Sequence, residues 1–420
     1  MHLLFALWDG GGTVPVELGV VRRALARGHT ATVLGDPSFA ADVSVTGAEF
    51  RSWDRAPHRR SSAREDDFIR DWEPRTPAGL LARICERVIT GPAAAYAADV
   101  RRALDDRPPD AVVASGVLLG ALVGAESAGV PAVALCSNIY ARTAPGLPPF
   151  GLGLAPARGA PGRVRDRVLN GLVERLWDRH LAPLNAARAE FGLGPLPGVW
   201  DQWDRAARVL VLTSQAFDLP ASLPENVRYV GPVLDDPAWT EPYEPPEGDD
   251  PLVVVGLSST WMGQADALRR IVAALGTLPV RGVVTTGPAV DPAEVPGTAR
   301  VDVRRSAPHA TLFPRAAVVV THAGHGTLMK ALAAGVPTLC LPMGRDQGDN
   351  VVRAARHGAV IGLRRSASPA RIAAAVRRLI DDPAYRRAAQ TLGARLRADA
   401  AGTALVDELE SAARSRTSST

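Results

Sequence analysis

The stretch VVVTHAGHGTLMKALAAG, residues 318–335, decides how this 420-residue chain folds. Its first four residues, Val318–Thr321, are β-branched and predict a strand buried on both faces. A turn of small residues follows, and a helix is predicted over Thr327–Ala334. A buried strand that leads through a tight turn into a helix is typical of a parallel α/β sheet.

The turn itself has the features of an anion site. Gly324 and Gly326 let a ligand approach the backbone closely. The free N–H groups at a helix start, together with the helix dipole, favour a phosphate or diphosphate. His322 and Thr327 add side-chain donors to the same place. The sequence therefore predicts a phosphate-binding turn between strand and helix.

Polar side chains follow the next predicted strand, Thr338–Leu341, and belong with this turn. The segment after that strand contains Asp346, Gln347 and Asn350. The carboxyl ends of neighbouring parallel strands meet at one edge of a sheet, so we expect these groups beside the phosphate turn. A carboxylate next to an amide is suited to binding the hydroxyls of a sugar.

The alternation of strand and helix occurs in both halves of the chain. In the second half it begins with a predicted strand, helix and strand at Leu252–Val255, Ala265–Leu275 and Gly282–Thr285. In the first half the same order, with a glycine-rich turn after the first strand, is predicted at Leu3–Trp8, Val16–Arg27 and Thr30–Leu34. We therefore predict an α/β protein with two Rossmann-like domains that face each other across a cleft, their parallel sheets flanked by helices.

Composition shifts suggest where these domains begin and end. The boundaries that we predict are an N-terminal domain at 1–232, an acidic, proline-rich linker at 233–250, a C-terminal domain at 251–398, and a last helix with a disordered tail at 399–420. Two stretches without clear periodicity, 51–77 and 142–165, are predicted to be long loops of the kind that often carry function.

Charge and cysteine content narrow the function classes. Forty-eight basic and 44 acidic residues give a net charge of only +4. A positive charge this small on a chain of this length does not predict a nucleic-acid partner. Three widely spaced cysteines provide neither a disulfide framework nor zinc spacing, and fit a reducing cytoplasm. The apolar run 111–125 is shorter than the roughly 20 residues that span a bilayer, and the N-terminus lacks the basic start of a signal peptide. We expect a cytoplasmic protein without a membrane span.

The order of motifs from His322 to Asn350 resembles a known family. The pattern H-x-G-x-G-T, A-x-x-x-G-V-P and P-x-x-x-D-Q-x-x-N resembles the donor signature of GT-B glycosyltransferases in the UDP-glycosyltransferase superfamily, especially the bacterial macrolide and antibiotic type. Upstream, Arg305–His309 is similar to the loop that contacts the nucleotide base. The turn Gly256–Thr260 is similar to the first turn of the donor domain.

The resemblance implies a role for each matching residue. It assigns the donor diphosphate to His322, Gly324, Gly326, Thr327, Asn350 and Ser259, the donor sugar to Asp346 and Gln347, and the base to Ala307, Pro308 and His309. It also implies a hexosyltransferase that moves a hexose or deoxyhexose from a UDP- or TDP-sugar, inverts the anomeric centre, and needs no metal or other cofactor. The N-terminal domain would then bind the acceptor, a small hydrophobic or aromatic molecule like a natural product.

The sequence departs from the family pattern at the catalytic base. The histidine or aspartate usual in the first N-domain turn is Gly12 here, and the acidic residue that often pairs with it is Ser115. Asp9 is our candidate for a shifted base, and the alternative is a turn-forming residue that bonds its own backbone. Thr13 and His325 are expected near the active site. Thr13 can hydrogen-bond an acceptor but cannot serve as a base at neutral pH, and His325 is a weaker candidate than Asp9. A more acidic acceptor, or attack through carbon or nitrogen, would call for a different base.

Three other enzyme classes fit the sequence less well than a glycosyltransferase. A dinucleotide-dependent oxidoreductase would need G-x-G-x-x-G after the first strand, but Pro15 holds the third glycine's place. An epimerase would need more cleft carboxylates, and a phosphorylase would need a cofactor lysine, whereas Lys330 is expected to face away. The alternative outside catalysis is an auxiliary protein that binds a nucleotide sugar without transferring it.

Overall fold

Each half of the chain forms a parallel sheet of its own. The computed structural model describes residues 1–61, 63–70, 72–74 and 76–415. The first sheet contains seven strands in the order β3-β2-β1-β4-β5-β6-β7. These strands are β1 His2–Ala6, β2 Thr30–Gly35, β3 Glu49–Ser52, β4 Ala111–Ser115, β5 Ala132–Cys136, β6 Arg208–Val211 and β7 Val227–Tyr229. All neighbours in it are parallel.

Helices cover both faces of this first sheet. They are α1 Thr13–Ala26, α2 Ala40–Ser44, α3 Pro77–Ile84, α4 Ala93–Asp106, α5 Leu119–Ser127, α6 Gly159–Asp178 and α7 Leu181–Glu190. One core packs α4 and α5 against the sheet, and a second core packs α1 against the other face. Strands covered on both faces read as continuous apolar runs, which is why β1, β4 and β5 could be predicted from the sequence.

The second sheet has six parallel strands in the order β10-β9-β8-β11-β12-β13. Its strands are β8 Leu252–Gly256, β9 Arg281–Thr285, β10 Val301–Arg304, β11 Val318–Thr321, β12 Thr338–Cys340 and β13 Val360–Gly362. Its helices are α8 Ala265–Leu275, α9 His309–Leu312, α10 His325–Ala333, α11 Gln347–Arg356, α12 Pro369–Asp381 and α13 Pro383–Ala401. The predicted fold class, two α/β domains with parallel sheets and flanking helices, is confirmed.

The last helix returns to the first domain. Helix α14, Ala404–Arg414, places Leu405 and Leu409 in the core that α1 forms with the first sheet, and its Glu408 pairs with Arg208 at 2.6 Å. The chain therefore crosses between the domains twice. The first sheet ends at Tyr229 and the second begins at Leu252, while the domain boundaries themselves stay a prediction. The part of the predicted tail from residue 416 onward lies outside the described residues.

The first crossing is held to both domains by two neighbouring aspartates. Asp235 accepts hydrogen bonds from Arg22 and Arg23 of α1, at 3.0 and 2.8 Å. Asp236 accepts one from Lys330 Nζ of α10 at 2.9 Å. The linker is thus tied to the helix that starts at the cleft in each domain. Lys330 lines the cleft at this point, so the expectation that it faces away is wrong.

Two predicted loops contain regular structure. The predicted loop 142–165 overlaps the first turns of α6. Pro161 is tolerated in the first turn because the N–H that it lacks would have no intrahelical partner there. The predicted loop 51–77 overlaps the end of β3, an edge strand of four half-exposed or exposed residues without an apolar run. Among the helices of the described residues, none combines the length and apolar composition that crossing a membrane requires.

Candidate active site

The two domains enclose a cavity of about 680 Å³ between the carboxyl ends of their sheets. The first domain lines it with the turn after β1, residues 9–13, and with Ser137 and Asn138 after β5. The second domain contributes the turns that follow β8, β11 and β12. Loops at this edge of a parallel sheet are where α/β domains bind ligands, and here two such edges face each other.

Two helices begin at this cavity, one in each domain. Helix α10 has Gly324 as its N-cap and α1 has Gly12, and neither receives a side-chain cap. A Cβ built on Gly326 would lie 3.8 Å from Val16 Cγ2 and 3.9 Å from the Gly12 carbonyl, so the two helix starts approach closely. Uncapped N–H groups and the positive ends of both helix dipoles therefore converge on the cleft, where they favour an anion.

His322 lies at the end of β11, between that strand and α10, and lines the cleft. Its Nδ1 is 3.5 Å from Thr321 Oγ1. Burial, helped by Arg345, lowers the pKa of His322 to about 3, so the imidazole is neutral at neutral pH and keeps one N–H to donate. Gly324 makes room for this ring, because a Cβ there would lie 2.5 Å from His322 Nε2.

The polar residues after β12 divide into one that faces the cleft and one that lies behind it. Asp346 lines the cleft, and burial raises the pKa of its carboxyl group. Asn350 is fully buried, and its Nδ2 donates to the Ala323 carbonyl at 3.0 Å and to Asp346 Oδ2 at 2.8 Å. Asn350 thus holds the phosphate turn from behind, and any support that it gives the phosphates passes through that turn.

Gln347 also serves its own loop. Its Oε1 accepts hydrogen bonds from the backbone N–H groups of Met343 and Gly344, at 2.6 and 3.2 Å. Its amide nitrogen faces Met262 Sδ at 3.5 Å. Gln347 and Thr327 both line the cavity, as the predicted site requires.

The predicted nucleotide-base loop borders the same cavity. Ala307 and His309 line it, whereas Pro308 is the N-cap of α9 and does not. The ring of His309 stacks on Phe313 with centroids 4.3 Å apart, and burial lowers its pKa to about 3. Ser259 lines the cavity from the turn after β8.

The first-domain turn meets the turn after β8 directly. A Cβ on Gly11, which has a φ of +74°, would lie 2.3 Å from Thr260 Cγ2. Thr13, in the first turn of α1, has a buried Oγ1 without a hydrogen-bond partner among the described residues. His325 packs edge-on against Phe217, and burial lowers its pKa to about 4. Both side chains lie at the cleft as neighbours of the site.

The carboxylate of Asp9 is engaged on both oxygens. Oδ1 accepts the Gly11 N–H at 3.0 Å, and Oδ2 accepts the Ser38 hydroxyl at 2.7 Å and lies 3.4 Å from Arg59 Nη1. The bond to Gly11 matches the turn-forming interpretation of Asp9. Its role as the base stays a prediction.

A second acidic residue close to the cleft escaped the sequence analysis. Glu17 of α1 is 2% exposed, and its two oxygens accept the hydroxyls of Ser115 at 2.5 Å and Ser137 at 2.6 Å. Burial raises the pKa of Glu17 to about 7, against the two serine hydrogen bonds, which lower it. The signal was present in the sequence as the one acidic residue on the apolar stretch Val14–Val21.

This burial makes the stability contribution of Glu17 depend on pH. The folded state binds the proton more tightly than the unfolded chain, so the contribution is complete below pH 4.5 and is lost as the pH rises to about 7. From pH 4 to pH 8 the wild type should lose about 3 kcal/mol of free energy of unfolding that the Glu17→Gln variant keeps. Urea titrations of both proteins at the two pH values measure this difference, and a pH-independent difference would contradict it.

Aromatic side chains line the cavity beside the predicted loop 51–77. The guanidinium of Arg64 lies between the indoles of Trp72 and Trp261, 5.0 and 4.6 Å from the ring centroids. Trp261 belongs to the second domain, so this cation–π stack joins the two domains across the cleft. Within the described part of the chain, no group of three or more His, Cys, Asp and Glu side chains could hold a metal ion.

Known proteins share sequence with this chain over nearly its full length. The family described as "Erythromycin biosynthesis protein CIII-like, C-terminal domain" matches residues 269–412. The 4'-demethylrebeccamycin synthase of Lentzea aerocolonigenes is 30% identical over 418 residues, which cover 97% of this chain and 98% of the relative.

Solved structures share the fold across the whole chain. The glycotransferase of kitacinnamycin superimposes with a TM-score of 0.75 at 22% identity, covering 99% of this chain and 98% of that one. The spinosyn rhamnosyltransferase SpnG complexed with thymidine diphosphate superimposes with a TM-score of 0.64 at 19% identity, covering 98% of this chain and 100% of that one. At these identities the structures establish the GT-B architecture.

Proposed function

Because this chain belongs to the GT-B glycosyltransferases of the macrolide and antibiotic type, we propose that it moves a hexose or deoxyhexose from a TDP- or UDP-sugar to a small natural-product-like acceptor. The transfer inverts the anomeric centre and requires no metal or other cofactor. We place it in the cytoplasm, since Cys85, Cys136 and Cys340 are buried free thiols rather than disulfides.

One observation carries this proposal: the uncapped start of α10 lies beside the neutral imidazole of His322 in the cleft between the domains. A glycosyl donor breaks its bond between C1 and the diphosphate, and negative charge grows on the diphosphate as it leaves. Fixed N–H donors and a helix dipole bind that growing charge more strongly than the ground state, so they lower the barrier. These N–H donors and the helix dipole supply the positive potential that a metal ion supplies in other transferases.

The opposed domains also favour inversion. The phosphate turn is on the second domain, and the first domain faces it across the cleft. An acceptor held by the first domain reaches C1 from the side opposite the departing diphosphate. A single displacement of this kind inverts the anomeric centre.

The walls of the cavity support the classes of donor and acceptor. Ala307 and His309 offer a surface for a nucleotide base, and the similar fold of SpnG was solved with thymidine diphosphate. Phe39 and Trp72 of the first domain and Trp261 of the second also line the cavity. Apolar rings of this kind suit a hydrophobic or aromatic acceptor.

The test combines donor binding with transfer. Purified protein is titrated calorimetrically with thymidine diphosphate and uridine diphosphate, and is then incubated with the corresponding hexose and deoxyhexose donors and a panel of aromatic and macrolide acceptors. We expect binding of one diphosphate and a glycosylated product detected by mass spectrometry. Binding without any transfer would instead identify an auxiliary protein.

His322→Ala probes the site directly. Removing a hydrogen bond to a charged group is expected to weaken diphosphate binding by about 10- to 100-fold. Thermal unfolding monitors the fold of the variant. Unchanged affinity in a folded variant would contradict the assigned site.

A further inference from the structure

Glu17 is joined to the cleft by a single hydroxyl. Its Oε1 accepts from Ser137 Oγ, and Ser137 lines the cavity after β5. Its Oε2 accepts from Ser115 Oγ, which is 1% exposed at the end of β4 and lies outside the cavity lining. One carboxylate thus has two serine partners, of which only Ser137 reaches the substrate space.

The first turns of α1, to which Glu17 belongs, approach the phosphate turn. Glu17 directly follows Val16, whose Cγ2 would be 3.8 Å from a Cβ placed on Gly326 at the start of α10. A sugar whose diphosphate is bound at α10 therefore lies across from the part of the first domain that contains Glu17 and Ser137.

We propose that Glu17, acting through Ser137, receives the proton of the acceptor hydroxyl. The inference rests on the proposed glycosyl transfer. As the acceptor oxygen bonds to C1, the bond from C1 to the diphosphate oxygen breaks and the diphosphate leaves with the electron pair. The acceptor proton moves to Ser137 Oγ while Ser137 passes its own proton to Glu17 Oε1. After product release the proton returns to solvent along the same path.

The surroundings of Glu17 suit this role better than those of Asp9. Among the described residues, no basic side chain lies within ion-pair distance of Glu17, whereas Asp9 is paired with Arg59. An uncompensated buried carboxylate gains by taking up a proton. Burial raises the pKa of Glu17 to about 7, close to the pH at which a general base works best. Glu17 thus supplies the basic group that Gly12 and Ser115 lack.

The experiment compares Glu17→Gln, Ser137→Ala, Ser115→Ala and Asp9→Asn with the wild type. It uses TDP-glucose or UDP-glucose, whichever the wild type accepts, and two acceptors: a weakly acidic alcohol or phenol that the wild type glycosylates, and 4-nitrophenol. For the weakly acidic acceptor we expect kcat to fall about 100-fold or more in Glu17→Gln and Ser137→Ala. The KM for the donor should stay within about threefold in both.

Ser115→Ala is the matched control, since it removes one hydrogen bond to the same carboxylate but leaves the path to the cleft. We expect it to lower kcat by less than about tenfold. With 4-nitrophenol, which gives up its proton easily, the losses in Glu17→Gln and Ser137→Ala should shrink to below about tenfold. A merely structural role would lower kcat equally for both acceptors. Thermal unfolding and diphosphate titration verify that each variant folds and binds.

Several outcomes would overturn the relay. Transfer by Glu17→Gln at the wild-type rate, equal losses for both acceptors, or an acceptor-dependent loss confined to Asp9→Asn would each exclude it while glycosyl transfer stands. A wild-type protein that binds the diphosphate but transfers to no acceptor would overturn the proposed function as well.

Discussion

Replacing Arg353 with methionine should lower the free energy of unfolding by about 3–5 kcal/mol, because it leaves a buried carboxylate without its cation. Arg353 Nε lies 2.5 Å from Asp218 Oδ1, and the two side chains are 3% and 0% exposed. Arg353 belongs to α11 and Asp218 to the first domain, so the loss also loosens the helix that holds Asp346 and Asn350. Urea unfolding measures the change in stability.

An exposed ion pair provides the control. Arg315 and Glu244 are 2.6 Å apart with side chains 50% and 83% exposed, and Arg315→Met should cost less than about 1 kcal/mol. The double variant Arg353→Met with Asp218→Asn should recover part of the loss, since the uncompensated charge is removed with its partner. A loss below 1 kcal/mol for Arg353→Met alone would contradict the prediction.

Gly324→Ala is expected to reduce kcat/KM for transfer by about 100-fold with little loss of stability, because a misplacement of about 1 Å at a reacting group has that effect. The backbone there, with φ −58° and ψ 135°, accepts alanine without strain. The added Cβ would lie 2.5 Å from His322 Nε2, however, so the imidazole must move away from the phosphate turn. Steady-state kinetics with the donor varied measures the loss.

A double variant tests this explanation. Once His322 is alanine the added methyl group has nothing to displace, so His322→Ala with Gly324→Ala should be no worse than His322→Ala alone. Gly326→Ala, whose Cβ would meet no atom closer than 3.8 Å, should leave the His322 imidazole in place. Additive losses in the double variant would show that Gly324 acts independently of the imidazole.

The sequence predicted where the strand, turn and helix around His322 lie, because the pattern that forms them is local. The run 318–335 specifies a buried strand, a glycine turn and a helix start by periodicity and residue type alone. The structure places His322, Gly324, Gly326 and Thr327 together at the cleft as that pattern requires. The position of Asn350 behind the turn was not predictable, since facing the cleft and facing the protein differ only in how α11 packs.

Local pattern therefore determined the two parallel sheets, the order of their elements and the turn between β11 and α10, since strand burial and turn chemistry depend on residues close together in the chain. Only the tertiary structure brought Glu17 to Ser115 and Ser137, which lie 98 and 120 residues away, and returned α14 to the first domain. No periodicity encodes such pairs. They form when tertiary packing brings distant segments of the chain together. The conformational entropy lost in this step is offset by burial of the apolar cores.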